Sequence, residues 1–215
     1  TLSAQKMSKS RGHYISPKAF VQVLPSDMMR YYMASRLSDG VSDIDIEWED
    51  FKLKINSDLV GKLANLCSRS QGFIHKYNQG VLADKIDEGL WNNLLADHQQ
   101  IRQAYESVNL SLVVKLVMSQ CDLVNQYVDA HKPWQLAKEG KLDDAVYVSS
   151  TALNAFRYLM SCLSPIIPDA AKVARACFAD EVPGFYTDAL CQHPVKKFGH
   201  LFSRVENEHI QQLKS

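Results

Sequence analysis

The chain is 215 residues long, 46% hydrophobic and 22% charged, with 24 basic residues against 24 acidic ones. That composition is ordinary for a folded domain and excludes a mainly disordered chain, while nine glycines and seven prolines are too few for a collagen-like or turn-dense all-β chain. A net charge of zero advertises no wholesale electrostatic grip on nucleic acid, so any such function must rest on local features.

Residues 1–26 differ from the rest: Lys6, Lys9, Arg11 and Lys18 give them a local charge of +4 with no acidic residue. Their weak periodicity predicts a loop leading into a short extended stretch, Ala19 to Leu24, stopped by Pro25. Ser26 is then placed to cap a helix running to Leu37, which Ser38-Asp39-Gly40 ends. From Ser42 to Phe51 acidic and apolar residues alternate, which fits either a strand or an acidic lead-in to a helix. Phe51 to Tyr77 carries apolar residues at spacings of three and four and predicts a long amphipathic helix, broken by Asn78-Gln79-Gly80.

Further helices are predicted from about Glu88 to Ser107, Leu110 to Ala130, Pro133 to Lys138, Leu142 to Cys162 and Pro168 to Phe178, then a wandering tail and a last helix near Val205 to Leu213. Short connections make antiparallel neighbours, so the expected fold is all-α, an antiparallel helix bundle preceded by a short loop and linking segment. The longest apolar stretches, such as Leu110 to Met118, are interrupted by Ser and Lys and fall short of the roughly 20 residues of a membrane span. The first residues hold neither an initiator Met nor an apolar signal core. The expectation is a cytoplasmic protein without membrane contact, and a piece of a longer chain.

Cys67, Cys121, Cys162, Cys177 and Cys191 are separated by 54, 41, 15 and 14 residues, without the close pairs of a zinc knuckle. They read as small buried hydrophobes, and no metal site is expected. His75 and His98 lack a ligand partner at suitable spacing, and Trp48 and Trp91 read as packing residues.

Three constellations can carry chemistry. Lys6-Met7-Ser8-Lys9-Ser10 places two ammonium groups three residues apart among hydroxyls, suited to a loop closing over phosphates; by composition alone it is equally a solvated basic loop. Asn65 and Arg69 stand four apart on one helix face, where an amide and a guanidinium read the edges of splayed-out bases or simply meet water. In Lys132-Pro133-Trp134, Pro133 fits a first helical turn and sets Trp134 at the mouth of that helix, as a stacking platform or as a buried anchor.

The pentapeptide Lys6 to Ser10 resembles the signature loop of class I aminoacyl-tRNA synthetases, and its continuation Arg11-Gly12 is similar to the methionyl-tRNA synthetase family. Asp27 to Tyr32, Asp43 to Ile46, Glu49 to Phe51 and Ile55 to Val60 resemble segments of that family in the expected order, and the likeness runs from Lys6 to about Pro168 before it weakens. The resemblance implies catalytic roles for Lys6 and Lys9, ATP contacts from Ser8, Lys9 and Ser10, and anticodon contacts from Asn65, Arg69, Pro133 and Trp134. It implies ATP with magnesium as cofactor, tRNA(Met) and methionine as partners, and no DNA. Lys132 stands where many relatives have Ala, and adds a potential phosphate contact.

No His-x-Gly-His element is present, nor are the family's nucleotide-binding sheet and zinc-knuckle cysteines, so any zinc is expected upstream of this chain. The implied organisation is a signature loop at 1–12, a linking segment at 13–50, a helical anticodon-binding domain of the class Ia type at 51–180, and a C-terminal extension at 181–215 packing back toward the linker. Such a piece would recognise an anticodon and stabilise ATP phosphates without catalysing the reaction by itself. The competing expectations are another class I synthetase, or a non-catalytic helical tRNA-binding or scaffolding module.

Overall fold

The structure, a computed structural model, describes residues 14–37 and 44–214. Helix α1 (Pro17–Val23) replaces the extended stretch expected at Ala19 to Leu24. Phe20, Val21 and Val23 are strand-favouring residue types, but Ser16 caps the Ala19 N–H and Pro17 pre-sets the first turn, so local capping decides. Helix α2 (Ser26–Ala34) starts one residue earlier than expected: Pro25 holds the cap position, and the Ser26 hydroxyl reaches Asp169 instead, at 3.4 Å.

The long helix is one unbroken run with a change of winding inside it. Helix α3 (Trp48–Ile55) passes into a π-helical segment (Asn56–Ala64) and then into α4 (Asn65–Tyr77). The wider winding suits Gly61, where a Cβ would stand 3.0 Å from the Asn56 carbonyl oxygen. Glu49 and Asp50 in the first turn of α3 favour the lead-in over the strand for this acidic segment. The single helix expected from Glu88 to Ser107 is two, α5 (Glu88–Ala96) and α6 (His98–Glu106), broken at Asp97. Then come α7 (Leu110–His131), α8 (Pro133–Lys138), α9 (Leu142–Leu163), α10 (Pro168–Phe178) and α11 (Asn207–Lys214).

The bundle is built around α9, which packs against α4, α7, α8 and α10. Every residue from Val148 to Leu163 is buried, as a helix surrounded on all sides requires. Its buried polar side chains hold the irregular segments around it. Ser150 and Thr151 hydroxyls accept from the Ala83 and Asp87 amides at 2.8 and 3.1 Å, and the Ser161 hydroxyl accepts from Tyr186 N at 3.2 Å. Arg157, 4% exposed, donates to both Asp180 carboxylate oxygens and to the Asp188 carbonyl, with its guanidinium 4.2 Å from the Tyr186 ring centroid.

The tail after α10 follows the bundle surface through three side-chain amides. Asn154 pairs with both backbone groups of Leu190 (2.7 and 2.9 Å), Gln71 with those of Phe198 (2.8 and 3.4 Å), and Asn56 with those of Val205 (2.8 and 2.9 Å). Each mimics one rung of a β-ladder. An isolated antiparallel bridge, Val81 to Pro194, is the nearest approach to a sheet among the described residues. The tail buries Val195, Phe198, Phe202, Val205 and Ile210 in the main core, and α11 lies against α1.

Cys67, Cys121, Cys162 and Cys177 are buried, and Cys191 is exposed. Burial pushes the Cys121 thiol up to about 12, with the Asp122 charge adding to it, so it stays a protonated hydrophobe. Trp48 and Trp91 are 3% and 8% exposed. No described helix is long and apolar enough to cross a membrane.

Candidate functional site

The phosphate-loop residues Lys6, Ser8, Lys9 and Ser10 lie outside the described residues. The other predicted constellations meet at one end of the bundle. Asn65 and Arg69 stand on successive turns of α4; Asn65 is exposed and Arg69 half-buried. Pro133 and Trp134 open α8, with Pro133 buried and Trp134 half-buried. The Arg69 guanidinium carbon lies 4.9 Å from the Trp134 ring centroid, within cation–π range. Two positions 65 apart in the chain thus form one contact.

The corner that turns Trp134 toward α4 is Lys132. It caps the C-terminus of α7 and leads into α8, and it adopts the left-handed conformation (φ 46°, ψ 62°). That region costs a residue with a Cβ roughly 1–2 kcal/mol. Pro133 then removes a helix N–H that would have had no partner and fixes the first turn of α8. The strained corner sets the angle at which the indole, half-buried, packs against the edge of the core.

Sequence reasoning missed Asp129. Its Oδ1 accepts from Arg69 Nη2 at 2.7 Å, so the guanidinium is held edge-on by a carboxylate while its face meets the indole. Two turns earlier on α7, Asp122 accepts from Lys62 Nζ at 2.8 Å. Both partners rise by seven residues together, which makes the long helix and α7 parallel neighbours joined by a two-rung charge ladder. The recoverable signal was the matched seven-residue spacing of Lys62 and Arg69 with Asp122 and Asp129. Side-chain exposures of 30% and 60% make the Arg69–Asp129 pair worth at most about 1 kcal/mol, so it orients more than it stabilises.

Phe73 and Tyr77 continue the Arg69 face. Their rings stack with centroids 6.2 Å apart and planes 23° apart, and Lys76 Nζ lies 4.9 Å from the Tyr77 centroid. Phe73 is half-buried, whereas Leu63 and Leu66 of the same long helix are buried. The histidines stand elsewhere. Burial, then the Lys197 charge, lowers His75; burial, then Arg102, lowers His98, whose Nδ1 is 3.3 Å from the Tyr158 hydroxyl. Among the described residues no group of three His, Cys, Asp or Glu side chains could hold a metal ion. A half-buried indole, a braced guanidinium and an exposed amide on neighbouring helices can stack on planar groups and hydrogen-bond to their edges.

Comparison with known proteins adds two family matches. Residues 1–71 fit the model described as tRNA synthetases class I (M), and residues 87–174 that of the anticodon-binding domain of tRNA ligases. The methionine–tRNA ligase of Neisseria meningitidis serogroup B is 40% identical over 99% of this chain and 32% of its own length. That of Psychrobacter sp. is 38% identical over 97% of this chain and 31% of its own. The chain therefore spans about a third of the length of these curated relatives. The methionyl-tRNA synthetase of Mycobacterium tuberculosis, solved in complex with methionyl-adenylate, superposes over 94% of this chain and 43% of its own with a TM-score of 0.80. At 21% identity that likeness speaks for the fold.

Proposed function

We propose that the chain belongs to the methionyl-tRNA synthetase family and is the anticodon-reading part of a methionine–tRNA ligase, joined to the loop that steadies ATP phosphates. The parent enzyme would join methionine to ATP as methionyl-adenylate with release of diphosphate, then pass the methionyl group to the 3′ end of tRNA(Met). It would work in the cytoplasm. The single observation that carries the reading is the Arg69–Trp134 contact with Asn65 one turn away, a base-recognition set assembled on one face.

In this reading Trp134 stacks on an anticodon base, and Asn65 and Arg69 hydrogen-bond to base edges. Pro133 and the Lys132 corner fix the indole, and Asp129 keeps the guanidinium from collapsing onto RNA phosphate. In the loop, Lys9 meets the ATP phosphates, Ser8 and Ser10 donate hydroxyls, and Lys6 assists the loop. ATP with magnesium would supply there an activated phosphoanhydride, whose α-phosphorus takes the methionine carboxylate as diphosphate leaves.

The test is binding of an RNA stem-loop bearing the methionine anticodon, beside one with an altered anticodon. The wild-type chain should prefer the methionine anticodon. Trp134→Ala should weaken binding by about 1–3 kcal/mol, the range for a lost base stack, with a near-native melting temperature. Asn65→Ala and Arg69→Ala should instead narrow the preference. A steep fall in melting for Trp134→Ala would make the indole a packing anchor and remove the reading.

A further inference from the structure

The Arg69 face of α4 does not end at the residues assigned to anticodon reading. One turn on it carries Phe73, half-buried with its ring stacked on Tyr77, and beyond that Lys76, whose ammonium lies over the Tyr77 ring. An aromatic pair and a cation on a solvent-facing helix are the ingredients of single-stranded RNA binding: a ring for a base and a charge for a phosphate. They are continuous with the Arg69–Trp134 contact, because Phe73 lies about 6 Å along the helix axis from Arg69.

Between them stands Gly72. A mid-helix glycine costs about 1 kcal/mol against alanine. Packing does not account for it, since a Cβ built at Gly72 meets nothing within 4 Å. Its effect is outward. Gly72 and Ser68, both exposed and four residues apart, leave a shelf, a strip of helix surface without a large side chain beside Arg69 and Phe73. Such a bare stretch of backbone admits a planar group edge-in.

We propose that the Gly72–Phe73–Lys76 shelf seats one further unpaired nucleotide of the anticodon loop, next to those met by Asn65, Arg69 and Trp134, with its base on Phe73 and its phosphate on Lys76. The shelf extends the footprint by one nucleotide beyond the anticodon and contributes affinity rather than base identity, because stacking tolerates any base. This inference rests on the anticodon-binding reading of the same face.

The test uses the full 215-residue chain and stem-loop RNAs carrying the methionine anticodon. One RNA is intact, and two others have the nucleotide flanking the anticodon on one side or the other made abasic. Gly72→Leu fills the shelf with an uncharged side chain that forms helix better than glycine, so melting should hold or rise. Its affinity for the intact RNA should fall about tenfold, as for loss of a stacking contact. One abasic RNA should bind wild type about tenfold more weakly and lose nothing more with Gly72→Leu, because the base that used the shelf is already gone. Phe73→Ala should reproduce the loss. Equal affinity of wild type and Gly72→Leu for the intact RNA, with anticodon preference retained, overturns the shelf alone. Equal losses for Gly72→Leu on all three RNAs overturn it too, by making the effect unrelated to a flanking base. A wild-type chain with no anticodon preference overturns the shelf together with the reading beneath it.

Discussion

Asp27 illustrates what one buried carboxylate does to pH dependence. It is 1% exposed; Oδ2 accepts from the Ala170 amide in the first turn of α10 at 2.8 Å, and Oδ1 is buried with no hydrogen-bond partner. Burial raises its pKa, outweighing the Ala170 and Asp169 amides that lower it. A carboxyl that holds its proton more tightly in the folded than in the unfolded chain contributes stability at low pH, and loses it as pH rises from about 4 through the folded value. Asp27→Asn keeps an acceptor for Ala170 and removes the titration. The stability of wild type relative to Asp27→Asn, from urea melts at several pH values, should decline as pH rises from 4 toward neutrality and then level off. A flat difference would mean the carboxyl is not desolvated.

Elements with their own punctuation were legible in the sequence. The starts of α8 and α10 coincide with Pro133 and Pro168, and the start of α7 with Asn109, whose side chain caps Leu112 N at 3.1 Å. The extent of α9 was legible, but its burial on every side was not, because Ser150, Thr151, Asn154, Arg157 and Ser161 give it a polar content that belongs to clamps on the surrounding segments. Helix α1 was misread because Ala19 to Leu24 is short, with little helical periodicity and two β-branched valines, and the cap that overrides this is one serine. The tail was illegible for a different reason: its path is set by Asn56, Gln71 and Asn154, three amides with no periodic signature. Asn65, Arg69 and Trp134 were nameable through family resemblance, but the Arg69–Trp134 contact has no local signal, since it joins separate helices, and the Asp129 brace shows only as a spacing matched between two distant segments. The clamps also make a prediction. Gln71→Ala leaves the Phe198 amide and carbonyl buried without their partner, at a cost of about 1–3 kcal/mol. Hydrogen exchange should accelerate at Phe198 and around it while α7 stays protected; unchanged exchange there would show the tail held by its side chains alone.

For the whole molecule, the tail is part of the core rather than an appendage. Ending the chain after Asp180 removes Val195, Phe198, Phe202, Val205 and Ile210, and uncovers Phe156 and Phe178, whose rings meet Phe198 at 5.5 and 5.4 Å. Burial of each such side chain is worth about 1.5–3 kcal/mol, and the sum is comparable with the 5–15 kcal/mol stability of a whole domain. The shortened chain should lose its cooperative calorimetric transition, or melt far below wild type. A melt within a few degrees of wild type would show that α9 and its neighbours form a self-sufficient bundle. The paired charges between the long helix and α7 work at this scale as well. Lys62 and Arg69 meet Asp122 and Asp129 across two helices that advance in step, so the two rungs behave as the teeth of a rack. Exposed positions between the teeth, such as Ser68, can change in kind but not in number: one residue gained or lost on either helix leaves at most one pair in mesh, and losing the second rung frees Arg69 from its place over the indole. A surface open to substitution thereby becomes strict about length.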